Sequence, residues 1–279
     1  MIAVKVEPES LAKIRDILLP KVVELKTTNK FEAFRLRLNS GIIVAYTSGK
    51  IVANDDVSYD LLKKAVRSVE IHKNEIVIGS DEAGKGEWLG PLVVAAVAVS
   101  PNSMAEMRVA GVMDSKELTT KRIEQIAPQI KKLALAFKVM VIQPQWFNER
   151  FSQLKMEGGN LNDMLAEVHV KAIESVYGEI RPQGTVRVVI DEFDRIKTAE
   201  RLRALSQMPN VMIIQKPRAE EEVPVACASI LARGEREDWI TKKSRELDMN
   251  LRSITEKEAI VVESGEELFK VSYLKNRHG

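Results

Sequence analysis

The chain has 279 residues, of which 45% are hydrophobic and 29% charged, the balance of an ordinary globular protein rather than a disordered one. That length allows one large domain or two smaller ones, with a core large enough to fold without a metal or disulfide staple. A lone cysteine, Cys227, excludes an internal disulfide, and His72, His169 and His278 are too scattered in the sequence for a His/Cys zinc site. No apolar run reaches the roughly 18 residues of a membrane helix, and the start, MIAVKVEPES, carries no signal-peptide pattern, so a cytoplasmic chain is expected. The net charge of +2 is unevenly spread: residues 1–73 hold 13 Lys/Arg against 9 Asp/Glu. This asymmetry points to an anionic partner for the N-terminal part.

Taken in order, IAVKV alternates as a strand, and Pro8-Glu9 opens a helix carrying Leu11, Ile14 and Leu18 until Pro20 stops it. KVVELKT reads as a strand. FEAFRLRL alternates, with Phe34, Leu36 and Leu38 on one face and Arg35 and Arg37 on the other. GIIVAYTSGKIVAND predicts a hairpin turning at Ser48-Gly49, and Leu61, Leu62, Ala65, Val66 and Val69 form a helical stripe after Ser58. These elements make a small α/β module over residues 1–70. Arg35, Arg37 and Lys50 on its open face suit a solvated sheet or a phosphate-facing one. The YTSGKIV hairpin resembles the matching stretch of TATA-binding-protein-like domains, which bind duplexes through a curved sheet.

His72-Lys73-Asn74 reads as a linker to a second unit, residues 75–279. Ile76-Val77-Ile78 predicts a strand that ends in Asp81 and Glu82, followed by a loop with Gly84, Gly86 and Gly90 and a strand LVVAAVAV. Both runs are continuously apolar, as strands covered on both faces are. Thr119 predicts a helix N-cap, and Pro128 is expected to limit that helix or to start another turn. LALAFKVMVI is a third strand, followed by a polar connection and the amphipathic helix NLNDMLAEVHVKAIESVYG. TVRVVID is a fourth strand ending at Asp191, VMIIQK a fifth, and PVACASILARGEREDWITKKSREL a long helix. The tail from about Asp248 reads as loop and helix.

Acids at the carboxyl ends of neighbouring strands suggest one site at Asp81, Glu82 and Asp191, with Glu237 sharing a helical face with Ala226, Ile230 and Arg233. A carboxylate cluster without His or Cys is an oxygen-rich site, suited to Mg²⁺ or Mn²⁺ rather than zinc. Two ions held this way can activate water in phosphodiester cleavage. Gly79 to Lys85 also fits the start of a P-loop. Gly86 stands where a Ser or Thr hydroxyl should meet magnesium, and two acids inside the cradle would repel phosphates, so a nucleotide site is disfavoured.

GSDEAGKGEWLGPLVV, MDSKELT, NLNDMLAEVHVKAI, VVID and ACASILAR with its upstream RAE together resemble type 2 ribonucleases H, in that family's order, over most of residues 75–240. The N-terminal module, Glu87-Trp88 and the ending FKVSYLKNR look more like ribonuclease HIII than ribonuclease HII. The resemblance implies a ribonuclease H-like mixed five-stranded sheet with flanking helices, preceded by a small α+β TATA-binding-protein-like domain. It implies an RNA/DNA hybrid substrate cut on the RNA strand, leaving 5′-phosphate and 3′-hydroxyl ends. By it, Asp81, Glu82 and Asp191 match family carboxylates, and Glu237 fills the fourth place, with Asp238 and Asp194 as fallbacks. Gly84, Lys85 and Gly86 match the loop whose backbone approaches RNA 2′-hydroxyls, Lys116 matches a basic residue near the substrate, and Asp114 orients its loop. Ser229 matches either a substrate contact or a small packing residue. The C-terminal tyrosine motif of ribonuclease HII is not recognisable, which leaves cleavage at single embedded ribonucleotides as the alternative activity, and a hybrid-binding module without catalysis as a third. Nothing resembles a heptad seam, so a monomer is the default.

Overall fold

Alternation in the first part of the chain builds a sheet with one dry face. The structure, a computed structural model, describes residues 2–39, 41–71, 75–112, 118–191, 202–262 and 265–275. Strands β1 (Ile2–Lys5), β2 (Val23–Leu25), β3 (Glu32–Leu38), β4 (Gly41–Tyr46) and β5 (Lys50–Ala53) form an antiparallel sheet in the order β1-β5-β4-β3-β2. Phe34, Leu36, Ile43, Ala45, Ile51 and Ala53 are buried beneath helices α1 (Leu11–Leu18) and α2 (Asp56–Ile71). The expected hairpin turn is present: Gly49 N–H donates to Tyr46 O at 2.9 Å. The linker at 72–74 lies outside the described residues.

The second sheet is built differently. Strands β6 (Ile76–Ala83), β7 (Leu92–Val99), β8 (Ala136–Ile142), β9 (Val186–Asp191) and β10 (Val211–Lys216) take the order β10-β9-β6-β7-β8. β6, β7 and β8 are antiparallel neighbours, while β9 and β10 run parallel to β6. Every residue of β7 is buried. Leu92, Val94, Ala96 and Ala98 face one core, with helix α6 (Leu161–Ile180), and Val93, Ala95, Val97 and Val99 face another, with helix α7 (Val223–Glu246). Cover on both faces explains the unbroken apolar run.

Helices α3 (Pro101–Val109) and α4 (Thr120–Leu133) join the α7 side, and α5 (Pro144–Met156) joins α6. Thr119 caps α4 as expected, accepting from Arg122 N at 3.3 Å. Pro128 does not end that helix: it lies inside it, held by the buried stripe Ile123, Ile126 and Ile130. α5 replaces the expected polar connection. Its apolar stripe is faint because Trp146 is exposed and few other side chains, among them Phe147 and Leu154, are buried. β6 ends as expected just past its two acids, at Ala83, so Asp81 and Glu82 are strand residues, paired with Ala95 and Val94. Beyond α7 lie the short helices α8 (Glu256–Val261) and α9 (Val271–Lys275). Among the described residues no helix is long and apolar enough to cross a membrane.

The two sheets are tied through α2 and α3. Arg108, 1% exposed, donates to Lys5 O at 2.8 Å and pairs with Glu7. Arg67 meets Glu106 at 2.6 Å, and Tyr59 donates to Val109 O at 2.5 Å.

Candidate active site

Parallel pairing of β9 with β6 brings their carboxyl ends together, and with them Asp81, Glu82 and Asp191. They line a cleft of about 660 Å³ together with Gly84, Lys85, Glu220, Ser229, Arg233, Arg236 and Glu237. The cleft therefore gathers all four predicted carboxylates and adds Glu220, from the turn Ala219–Glu221 that precedes α7.

Each acid has its own support. Burial pushes the Asp81 carboxyl up to about 7, the charges of Glu82 and Asp191 add to this, and a hydrogen bond from Ser229 opposes it. Burial acts in the same upward direction on Glu82, but the hydrogen bond and charge of His169, with Lys85, outweigh it and hold that carboxyl down to about 2. Fully buried His169 bridges Ser80 Oγ at 2.7 Å and Glu82 Oε2 at 3.2 Å, and Ser80 Oγ also donates to Ala95 O at 2.8 Å. Lys85 Nζ lies 3.4 Å from Glu82 Oε1. Asp191 Oδ1 accepts from the backbone N–H of Ala219 at 3.3 Å, which seats the Glu220 turn beside it.

Glu237 is held differently. Its Oε1 accepts from Arg236 at 3.2 Å and its Oε2 from Arg252 at 2.7 Å. Asp238 lines a separate groove between α4 and α7. Asp194, Asp114 and Lys116 lie outside the described residues. Ser229 is buried and bonded to Asp81, which makes it more than a packing residue. Sequence reasoning assigned no role to Glu220, His169 or Arg236. Glu220 carried a faint signal, an acid shortly after the fifth strand, and His169 a fainter one, a polar residue on the apolar face of α6.

The glycine loop is set by its backbone. Gly84 and Gly86 have φ of 88° and 76°, which a side chain would strain. A Cβ at Gly84 would also fall 2.5 Å from Pro91 O, whereas one at Gly86 would point into open space. Gly86 therefore presents bare backbone outward, while Gly84 is buried against Arg236.

On the N-terminal sheet, Arg37 and Lys50 are exposed on the open face, among Val23, Leu25, Ile42, Val44 and Val52. Arg35 is committed elsewhere: it donates to Glu32 at 2.6 and 3.1 Å and to Thr28 at 3.2 Å.

The donor set is all oxygen and strongly anionic, which fits a hard divalent cation. Among the described residues no group of three or more His, Cys, Asp or Glu side chains stands close enough together to hold a metal ion as placed.

A family model described as ribonuclease HII matches residues 78–255. The chain belongs to the type 2 ribonucleases H, in the ribonuclease HIII group. Ribonuclease HIII of Protochlamydia amoebophila is 38% identical over 175 residues, which span 62% of this chain and 55% of that protein. Ribonuclease HIII of Leuconostoc mesenteroides is 32% identical over 240 residues, 78% of this chain and 76% of that protein. Among solved structures, Bst-RNase HIII in complex with Mn²⁺ superposes with a TM-score of 0.64 at 24% identity, covering 98% of this chain and 96% of that one. The expected ribonuclease H-like sheet, preceded by a small α+β unit with the TATA-binding-protein-like fold, is thus the architecture of this type 2 ribonuclease H.

Proposed function

We propose that this chain is an endonuclease that cuts the RNA strand of RNA/DNA hybrids with a divalent metal, Mg²⁺ or Mn²⁺, leaving 5′-phosphate and 3′-hydroxyl ends. The observation that carries the reading is the juxtaposition, in one cleft, of Asp81, Glu82 and Asp191 with Gly84 and Lys85 of the glycine loop. The acids supply a cation site, and the glycines supply a surface close enough to read a ribose hydroxyl.

Asp81, Glu82 and Asp191 would hold the ion or ions. Glu220 is preferred to Glu237 as the fourth carboxylate, because the Glu220 turn is bonded to Asp191 through Ala219. A bound divalent ion supplies an activated water and neutralises charge at the leaving oxygen. The protein's part is to orient. Ser229 fixes Asp81, His169 and Lys85 fix Glu82, and the Ala219 amide fixes Asp191. Gly84 and Gly86 bring main-chain groups to the ribose, and Lys85 meets a phosphate. Lys116 is assigned to the substrate side on resemblance.

The open face of the N-terminal sheet, with Arg37 and Lys50, grips the hybrid through its backbone without reading sequence. Arg35 serves that face less directly, since its guanidinium braces Glu32. The working unit is taken as a monomer in the cytoplasm. The test is cleavage of a labelled hybrid with Mg²⁺ and with Mn²⁺, beside a DNA duplex carrying one ribonucleotide. Metal-dependent cutting of the RNA strand supports the reading. Cutting of the single-ribonucleotide duplex alone would move the chain to the ribonuclease HII activity, and no cutting of either would leave only a binding module.

A further inference from the structure

Beneath the glycine loop lies an arginine that no part of the metal chemistry requires. Arg236, on α7, is 6% exposed. Its Nη2 donates to Glu87 Oε2 at 2.6 Å and to Leu89 O at 2.9 Å, and its Nη1 to Glu237 Oε1 at 3.2 Å. Two of these acceptors belong to the Gly84–Gly90 loop. A Cβ placed on Gly84 would meet Arg236 Nε at 3.0 Å and Cδ at 3.1 Å, so the loop backbone lies directly on the side chain. On its other side Glu237 is pinned by Arg252 at 2.7 Å. The far end of the loop is held as well: Gly90 N–H donates to Leu268 O at 2.9 Å, and buried Lys270 Nζ donates to Gly90 O at 2.5 Å.

A buried guanidinium must be paired, and its planar fork serves several acceptors in fixed directions. Here the fork spans from α7, which packs on the carboxylate-bearing strand, to the loop. Arg236 is therefore the side chain that ties the Glu87–Leu89 part of the loop to α7, while Leu268 and Lys270 hold it at Gly90. A distance error of about 1 Å at a reacting or reading group is enough to cost up to about 100-fold. We propose that Arg236 is a positioning residue that fixes the Gly84–Gly90 loop over the carboxylates and thereby sets the preference for ribose over deoxyribose. The inference rests on the reading of that loop as the ribose-contacting element.

The experiment uses the full chain as wild type, Arg236→Met, Arg236→Lys and Glu87→Gln. Without divalent metal, a labelled RNA/DNA hybrid is displaced by unlabelled hybrid or by DNA duplex of the same sequence, and the ratio of the two affinities is read. Arg236→Met is expected to lower that ratio by about tenfold, mostly by weakening the hybrid, while affinity for DNA duplex stays within about twofold. Arg236→Lys, which presents its donors from one point, recovers only part of the ratio. Glu87→Gln moves it the same way by a smaller factor. With metal, hybrid cleavage by Arg236→Met should show a raised KM as well as a reduced kcat. A folded Arg236→Met protein with an unchanged ratio, or with equal losses on both duplexes, overturns the proposal. Should that variant fail to fold, an unchanged ratio in Glu87→Gln overturns it. A wild type with no preference for hybrid overturns the function reading itself, and the inference with it, so the two failures are told apart by which protein shows them.

Discussion

The two sheets solve opposite problems with the same element. The β6–β10 sheet is covered on both faces, and every residue of β7 is buried, so the strand beside it holds Asp81 and Glu82 without freedom to drift. The β1–β5 sheet is covered on one face only and leaves Val44, Val52, Arg37 and Lys50 toward solvent. Rigid placement suits a group that must meet a reacting phosphate. An open face suits a broad, sequence-independent grip on a duplex. Arg108, buried between them, ties the open sheet to the unit that carries the cleft.

The comparison can be broken at several points. The largest expected effect is chemical. Glu220→Gln should lower metal-dependent cleavage of a hybrid at least about 100-fold, while Glu237→Gln stays within about fivefold, as steady-state rates will show. The reverse order would return Glu237 to the fourth place. Next comes packing: a Cβ at Gly79 in β6 would fall 2.2 Å from the Pro224 backbone of α7, whereas one at Gly41 in β4 would meet the Asp55 and Ser58 side chains rather than backbone. Gly79→Ala should therefore cost about 3 kcal/mol or more in urea unfolding, and Gly41→Ala about 1 kcal/mol. Equal costs would mean the covered sheet is no more tightly packed than the open one.

Arg108→Met should cost about 2–3 kcal/mol, because it unpairs Glu7 and leaves Lys5 O without its donor, and limited proteolysis should then cut between the sheets. A pH effect tests the loop clamp. Burial drives Lys270 down to about 7, aided by Arg236 and opposed by Glu87. The unfolded lysine titrates near 10.4. Between these values the unfolded chain binds more protons, so stability should rise with pH from about 7 to about 10, at up to about 1.4 kcal/mol per unit, and be flat for this group below 7. Lys270→Met should flatten that rise in thermal melts across the range. Smallest of all, Arg37→Ala and Lys50→Ala should each weaken hybrid binding a fewfold and reduce the salt slope by about one, with no effect on ribose preference.

Much of this was legible in the sequence because it is local. The unbroken apolar run of β7, the alternation of β3 and the cap at Thr119 each follow from a few adjacent residues. Asp81, Glu82 and Asp191 were legible because strand ends advertise themselves. α5 was not, since it buries too few apolar side chains to leave a stripe, and the course of α4 through Pro128 depends on packing that a local rule ignores. Within the cleft, the hidden residues act across long separations: His169 on Glu82, Arg236 on Glu87, the Ala219 amide on Asp191. Glu237 does lean toward the sheet as its helical face predicts, but its pairing with Arg252 lies on a different turn of chain and no spacing announces it.

On the proposed function, Asp81 sits at a metal-dependent phosphodiester-cleaving centre beside a ribose-reading loop. This is tested most directly by one comparison: RNA-strand cleavage and hybrid binding by the wild type and by Asp81→Asn, each with and without divalent metal. The account predicts cleavage by the wild type only with metal, and a loss on the order of 1,000-fold in Asp81→Asn with hybrid affinity within about threefold. Near-normal turnover by Asp81→Asn, or cleavage by the wild type without metal, would contradict it.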